Sequence, residues 1–207
     1  MNQMLLSTAY LPPIEYFYYL VKSTPIFIEA YETYPKQTYR NRCNIFAPNG
    51  MQVLTIPVTK TNGNHTLTKN IKISSHTNWR LHHWKSLQTA YNTSAFFMFY
   101  KDELWKTMQY ETSNLLDFNM HLLRFLMDEI GIKTSIRLTK DYHKEKNDLL
   151  DLRTSINPKH AKLSINPPPY FQVHQDKFGF MANLSILDLL FSEGPNTLSY
   201  LQSIKEV

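Results

Sequence analysis

The chain has 207 residues, of which 43% are hydrophobic and 14% aromatic, and this composition excludes a disordered or low-complexity protein. The formal net charge of +5 favours anionic partners, but the 22 Lys and Arg residues are scattered, so nucleic acid is not an expected partner. Five glycines that do not cluster argue against a glycine-rich phosphate loop, and a single cysteine, Cys43, excludes an intramolecular disulfide and a cysteine-rich zinc site.

The N-terminal residues predict a βαβ unit. Met4–Ala9 is a short apolar stretch typical of a strand, and Pro12-Pro13 both ends it and suits the first turn of a helix. Ile14–Lys22 has apolar residues at helical spacing, and Pro25–Ala30 is apolar and β-branched. The two strands of such a unit are expected to be parallel.

A β-hairpin is predicted next. Arg40–Phe46 and Met51–Val58 are two strand-like segments joined around Asn49-Gly50, which is the strongest short turn signal. After a polar loop, Ile71 and Ile73 alternate with lysines and indicate a further short strand.

The second half of the chain is predicted to be mainly helical. Helical periodicity begins at Asn78, continues through Ser94–Met108, and returns in Leu116–Ile130, which should end at Gly131. Ile132–Leu138 alternates like a strand.

Two further stretches complete the chain. Lys140–Asp151 is highly charged and is expected to be exposed, and Leu184–Phe191 predicts a helix that stops at Gly194-Pro195. The expected fold is therefore α/β, a single domain over residues 1–207, with a mixed sheet, an N-terminal βαβ unit, a hairpin and a helical second half.

The segment Tyr39-Arg40-Asn41-Arg42 is the first candidate site. Alternate residues of a strand share a face, so Arg40 and Arg42 are expected to hold a carboxylate, phosphate or sulfate together. The alternative is an edge strand whose charged side chains discourage aggregation.

The helix that begins near Trp79 carries the second candidate. His82 and Lys85 lie three residues apart and share a face, and a nearby lysine disfavours the imidazolium form, which leaves a neutral base. Adjacent histidines diverge by about 100° on a helix, so His82 and His83 cannot clamp one metal. The alternative is a surface histidine beside a packed tryptophan.

Other chemistry has weaker support. No HExxH pattern occurs and the eight histidines are dispersed, so no metal site is expected. Cys43 is expected to be a packing residue. Glu29 and Glu32 lie near the end of the second predicted strand, where open α/β sheets carry ligands, and are either solvated loop carboxylates or a general base.

Several segments in order resemble the WbqC-like protein family. They are Tyr10-Leu11-Pro12-Pro13 with Tyr16-Phe17, Tyr39-Arg40-Asn41-Arg42, Leu54 with Pro57-Val58, Trp79 with His82, His83 and Ala90-Tyr91, and Tyr170-Phe171-Gln172 with Leu184–Phe191. The family often has a His-Gln-Pro-like segment before its "LP", whereas this chain has Ser7-Thr8-Ala9-Tyr10, so no chemistry is expected from an N-terminal histidine.

The resemblance implies an enzyme that transfers an acyl or aminoacyl group, such as glycine, to a sugar intermediate of O-antigen or other surface-polysaccharide biosynthesis. Catalysis is expected from His82, His83 and Tyr91. Binding of an anionic or sugar-linked small molecule is expected from Tyr10, Tyr39, Arg40, Asn41, Arg42, Lys85 and Gln172. The alternatives are a nucleotide-dependent enzyme and a non-catalytic binding module for polysaccharide assembly. The sequence indicates neither a cofactor nor an oligomeric state.

The expected location is the cytoplasm. The chain has one cysteine, its first ten residues lack a basic segment followed by a small-residue cleavage site, and its longest apolar runs are too short to span a bilayer. Membrane insertion is therefore not expected.

Overall fold

A computed structural model of the protein describes residues 3–142, 149–160 and 163–207. Its strands are β1 (Gln3–Ser7), β2 (Ile26–Glu29), β3 (Arg42–Ala47), β4 (Gly50–Thr55), β5 (Val58–Thr59), β6 (Lys72–Ile73), β7 (Ile136–Leu138), β8 (Leu149–Asp151), β9 (Ile165–Asn166) and β10 (Lys205–Glu206). Its α-helices are α1 (Ile14–Lys22), α2 (Trp79–Tyr91), α3 (Phe97–Met108), α4 (Leu115–Ile130), α5 (Gln175–Phe178), α6 (Ile186–Glu193) and α7 (Thr197–Ser203).

A four-stranded parallel sheet organises the fold, with the strand order β7-β2-β1-β8. β1 pairs in parallel with β2 and with β8, and β2 pairs in parallel with β7. The predicted βαβ unit is confirmed, since α1 begins directly after Pro13 and connects β1 to β2. Proline suits this position because the first helical N–H groups have no partner within the helix.

The strand order reverses between β1 and β8. The chain moves outward from β1 to β2 and β7, and then returns to place β8 on the other side of β1. In open parallel sheets a crevice forms at such a reversal, outside the carboxyl ends of the strands. A ligand site is therefore expected among the residues that follow Ser7, Glu29 and Asp151.

The predicted hairpin is confirmed in β3 and β4, whose register runs from Arg42 opposite Thr55 to Ala47 opposite Gly50. Pro48-Asn49 forms the turn, and Gly50 has φ 100, a conformation that glycine adopts without steric cost. Its first strand begins at Arg42 rather than Arg40, because Tyr39 and Arg40 lie in a turn.

The helical second half is also confirmed. α2 and α4 begin after Asn78 and Asn114, whose side-chain oxygens accept hydrogen bonds from the backbone N–H groups of Leu81 and Asp117. α4 ends at Gly131, which has φ 83. The α/β class is confirmed, with the antiparallel pairs forming separate two-stranded sheets beside the parallel one.

The charged stretch Lys140–Asp151, which was predicted to be exposed, also contains a strand of the parallel sheet. Residues 143–148 lie outside the described residues, but Leu149–Asp151 forms β8 and completes the parallel sheet. This strand consists of two leucines and an aspartate, and three residues are too few to show the alternation by which a strand is recognised in a sequence. Its stability comes from pairing with β1.

Candidate functional site

Two carboxylate–arginine groups occupy the carboxyl ends of β2 and β8. Glu29, the last residue of β2, is 0% exposed, and its carboxylate accepts a hydrogen bond from Nη1 of Arg153 at 3.0 Å. The other carboxylate oxygen accepts from the Tyr31 N–H and the Thr139 hydroxyl, both at 2.8 Å. A buried charge needs this number of partners to offset its lost hydration.

Arg153 bridges the two strands. Its Nε and Nη2 donate to the carboxylate of Asp151, the last residue of β8, while Nη1 reaches Glu29. The hydrogen bonds that Arg153 donates to Asp151 are the main reason that the pKa of the guanidinium is raised further above its already high value. Because the fork engages two carboxylates at once, Arg153 fixes the geometry at the reversal of strand order.

The second group pairs Arg40 with Glu32. Nε and Nη2 of Arg40 donate to the two carboxylate oxygens of Glu32 at 2.7 and 2.8 Å, a bidentate ion pair. Nη2 also lies 3.4 Å from the carbonyl oxygen of Arg153, which connects the two groups. Arg40 is thus neutralised by a carboxylate of the same chain, and its fork is not free to bind an anion.

The two groups border one cavity of about 480 Å³, which we call the sheet-edge cavity. Glu32, Arg40 and Arg153 contribute the charged part of its wall, and Tyr31 and Tyr142 contribute aromatic rings. Thr38 also lines it, and the buried Oγ1 atom of Thr38 has no hydrogen-bond partner within the described residues. A buried hydroxyl without a partner is costly and indicates a position that a ligand can satisfy.

The structure separates the two predicted arginines. They do not share a strand face, because Arg40 lies in the turn before β3 and Arg42 is the first residue of β3. Arg42 lines a different cavity of about 350 Å³ together with Asn41. Tyr39 is buried, and its carbonyl oxygen accepts from the N–H of Tyr10 at 2.8 Å.

The candidate residues of α2 do not meet either cavity. His82 and Lys85 are exposed, whereas His83 is buried one residue away on the helix. His83 Nδ1 lies 2.9 Å from the hydroxyl oxygen of the fully buried Tyr10. Burial lowers the pKa of His83 to about 4, so its ring is neutral near pH 7, and burial raises the pKa of Tyr10.

Tyr91 and Gln172 belong to a buried polar network around Asp188. The Gln172 side chain donates to Asp188 at 2.8 Å and to the Met181 carbonyl oxygen at 2.9 Å. The Tyr170 hydroxyl also donates to Asp188, and the Tyr91 hydroxyl accepts from the Phe46 N–H at 3.1 Å. Burial is the main reason that the pKa of Asp188 is raised. This network connects α6 to α2 and to the hairpin.

Sequence reasoning missed Arg153, Asp151, Thr38 and Tyr142. The one signal in the sequence was the order Leu149-Leu150-Asp151-Leu152-Arg153, in which a short apolar pair precedes charged residues, as at a strand terminus. Cys43 was predicted to be a packing residue, and it is buried, with its pKa raised by burial.

Within residues 3–142, 149–160 and 163–207, no three His, Cys, Asp or Glu side chains lie close enough together to hold a metal ion. Across the same residues, none of the helices has both the length and the apolar character needed to cross a membrane.

Comparisons with known proteins assign the chain to a family. Residues 8–168 match the model of the WbqC-like protein family. A protein of Mycobacterium tuberculosis (strain ATCC 25618 / H37Rv) named "Uncharacterized protein Rv1507c" is 25% identical over 198 residues, which cover 84% of this chain and 85% of that protein. No solved structure matches. The matched range contains β2 and β8, and hence the whole sheet-edge cavity.

Proposed function

Because the chain belongs to the WbqC-like protein family, we propose that it transfers an acyl or aminoacyl group, such as glycine, to a sugar intermediate of surface-polysaccharide assembly in the cytoplasm. The sugar binds in the sheet-edge cavity. The observation that carries the proposal is the pair of carboxylate–arginine groups, Glu29–Arg153 and Glu32–Arg40, beside the carboxyl ends of β2 and β8, the two strands that flank β1.

The cavity suits a neutral, hydroxyl-rich ligand. Its volume of about 480 Å³ lies in the range of small-molecule sites. Each arginine is already paired with a carboxylate, so the wall offers fixed hydrogen-bond donors and acceptors without a free positive charge. The rings of Tyr31 and Tyr142 supply apolar faces against which a sugar ring can pack.

Acyl transfer needs a base beside the attacking group. The sugar oxygen or nitrogen forms a bond to the carbonyl carbon of the donor, the bond to the leaving group breaks, and the proton of the nucleophile ends on the leaving group. We propose that Glu32, which lines the cavity, accepts this proton first and then passes it to the leaving group. A carboxylate has about four acceptor positions and Arg40 uses two, so two remain for the nucleophile. This assignment replaces the histidines of α2, because His83 is buried and His82 lies on an exposed face.

The test uses the unpaired hydroxyl of Thr38, because this side chain can be changed without breaking an ion pair. Thr38→Val keeps the shape of the side chain, and we expect the catalytic efficiency of transfer to fall at least tenfold while the thermal unfolding midpoint does not fall. Purified variants would be assayed by mass spectrometry with nucleotide sugars and aminoacyl donors.

Thr68→Val is the matched control. Thr68 also has a buried hydroxyl without a partner in the described part of the chain, but it does not line the sheet-edge cavity. Transfer by this variant should equal that of the unmodified protein. If both variants lose transfer equally, or if no donor and acceptor pair gives a product, the proposed function is wrong.

A second candidate is a non-catalytic binding module for polysaccharide assembly. It is favoured by the separation of His82 and Lys85 from the two cavities that Arg40 and Arg42 line. Such a module should bind a saccharide with an affinity that Thr38→Val lowers, but it should release no product with any donor. The same assay, combined with calorimetric titration of the saccharide, separates the two functions.

A further inference from the structure

A second cavity lies on the other side of the segment that bounds the sheet-edge cavity. We call it the basic pocket, and it has a volume of about 350 Å³. Its wall contains Lys36, Arg42 and Lys60, and none of its lining residues is acidic. The overall charge of +5 adds a weak attraction for anions, but the pocket places three of the cations together.

Arg42 lacks the partner that Arg40 has. Its Nε is buried, and within the described residues it has no hydrogen bond and no ion pair. A buried guanidinium N–H without an acceptor costs free energy, and a bound anion offers the acceptor. The charge on Arg42 is therefore available to a ligand.

Of the other buried polar atoms that have no partner among the described residues, two belong to residues that line this pocket. They are the hydroxyl of Tyr34, a residue 4% exposed, and Oδ1 of Asn41, a residue 7% exposed. Burial raises the pKa of Tyr34 to about 12, so the hydroxyl keeps its proton and can donate it in a hydrogen bond. The three orphaned atoms thus offer two donors and one acceptor.

The acceptor is held in a fixed orientation. The side-chain Nδ2 of Asn41 donates to the Ile56 carbonyl oxygen at 2.8 Å, while the Asn41 carbonyl oxygen accepts from the Ile56 N–H at 2.8 Å. Exchanging the amide oxygen and nitrogen would set two oxygens against each other, so Oδ1 is the free atom. An oxygen acceptor repels a bare anion, and it requires a ligand that also carries a hydrogen-bond donor.

We propose that the basic pocket binds a phosphate group carrying a hydroxyl-bearing substituent, as in a sugar phosphate. Arg42, Lys36 and Lys60 hold the phosphate together with the Tyr34 hydroxyl, and Asn41 Oδ1 accepts from the neighbouring hydroxyl. Three cations without an acidic residue match the two negative charges and three acceptor oxygens of a phosphate better than the single charge of a carboxylate. This inference does not rest on the proposed transfer reaction.

The test measures binding directly, without turnover. Inorganic phosphate, glucose 1-phosphate, lactate and glucose would each be titrated into the full chain in a calorimeter. We expect glucose 1-phosphate to bind more tightly than inorganic phosphate and lactate, and glucose not to bind to this pocket. Tighter binding of lactate, or no binding of either phosphate at millimolar concentration, would overturn the proposal.

Two variants test whether glucose 1-phosphate binds in this pocket. Arg42→Gln should weaken glucose 1-phosphate binding at least tenfold, whereas Arg137→Gln, which removes one positive charge from an exposed position on β7, should leave it unchanged. Equal loss in both variants would mean that only net charge matters, and the proposal would fall.

Tyr34→Phe keeps the test informative if Arg42→Gln does not fold. The Tyr34 hydroxyl has no partner in the described part of the chain, so its removal should leave the unfolding midpoint unchanged or higher, yet weaken glucose 1-phosphate binding severalfold. A variant that binds as the unmodified protein does would contradict the assignment. Thr38→Val should retain phosphate binding whatever its effect on transfer, which separates this proposal from the preceding one.

Discussion

At the scale of single residues, the two adjacent histidines of α2 show how neighbouring positions acquire different chemistry. A step of about 100° along the helix exposes His82 and turns His83 inward, against the rings of Trp79 and Tyr10. His83 is shielded from solvent, but its ring nitrogen keeps a hydrogen-bond partner in Tyr10. The sequence predicted that His83 acts as a base, and its burial and its contact with Tyr10 also predict a contribution to stability.

This burial makes the stability of the protein depend on pH. Burial lowers the pKa of His83 from 6.5 to about 4, so the unfolded chain binds the proton first as the pH falls. The contribution is fully present above pH 6.5 and is lost between pH 6.5 and 4, by about 3 kcal/mol in the free energy of unfolding. Urea unfolding at a series of pH values should show this loss in the unmodified protein.

His83→Gln removes the titrating ring, so this part of the pH dependence should disappear from the urea-unfolding curves. His82→Gln serves as the control because its side chain is exposed on the same helix. A steep loss of stability below pH 6.5 that persists in His83→Gln would show that another group is responsible.

The environment of a residue was predictable from the sequence only where it depends on neighbours in the chain. The buried Cys43 followed from its place in a strand, and Glu29 and Glu32 were recognised as residues at the end of a strand. The partners of the arginines were not predictable, because Arg153 reaches Glu29 across 124 positions of the chain. The orphaned hydroxyls of Tyr34 and Thr38 depend on packing that no sequence pattern records.

At the scale of elements, short sequence signals predicted several boundaries of helices and strands correctly. The proline pair before α1, the Asn49-Gly50 signal in the hairpin and Gly131 after α4 each marked a boundary that the structure contains. β8 was missed because three residues carry little periodicity, and its partner β1 lies far away in the sequence.

The end of α6 gives a prediction for one element. Gly194 has φ 52 and ψ −122, and a Cβ atom there would lie 2.6 Å from carbon atoms of the Phe96 ring. We expect Gly194→Ala to lower the free energy of unfolding by about 2–4 kcal/mol, because strain and overlap add. Urea unfolding of the purified variant measures this loss.

Gly131→Ala shows the cost of a left-handed backbone conformation without an overlap. Gly131 also has a positive φ of 83, but a Cβ atom there would lie 3.9 Å from its nearest neighbour, Cδ2 of Leu198. This variant should lose only about 1–2 kcal/mol, which is the cost of the backbone conformation alone. Equal losses in the two variants would contradict the expected additional cost at Gly194.

At the scale of the whole molecule, the Glu29–Arg153 contact joins parts of the chain that are far apart. It connects the N-terminal βαβ unit to the strand that closes the sheet, and both side chains are buried, at 0% and 7% exposure. Breaking a buried ion pair leaves a charge without compensation, which costs more than removing both partners.

Arg153→Met should therefore lower the free energy of unfolding by about 3–5 kcal/mol, because the Glu29 carboxylate stays buried. The double variant Glu29→Gln with Arg153→Met should recover most of this loss, since no buried charge remains at Glu29. Chemical unfolding of the two single variants and the double variant completes a thermodynamic cycle. If the double variant is as unstable as the sum of the single variants, the two residues do not interact.

The segment from Thr33 to Arg42 separates the two cavities, with Thr38 and Arg40 facing one and Tyr34 and Arg42 facing the other. A single insertion or deletion in this segment changes both walls at once. Exchanging this one segment between homologues should therefore alter both proposed ligand preferences together.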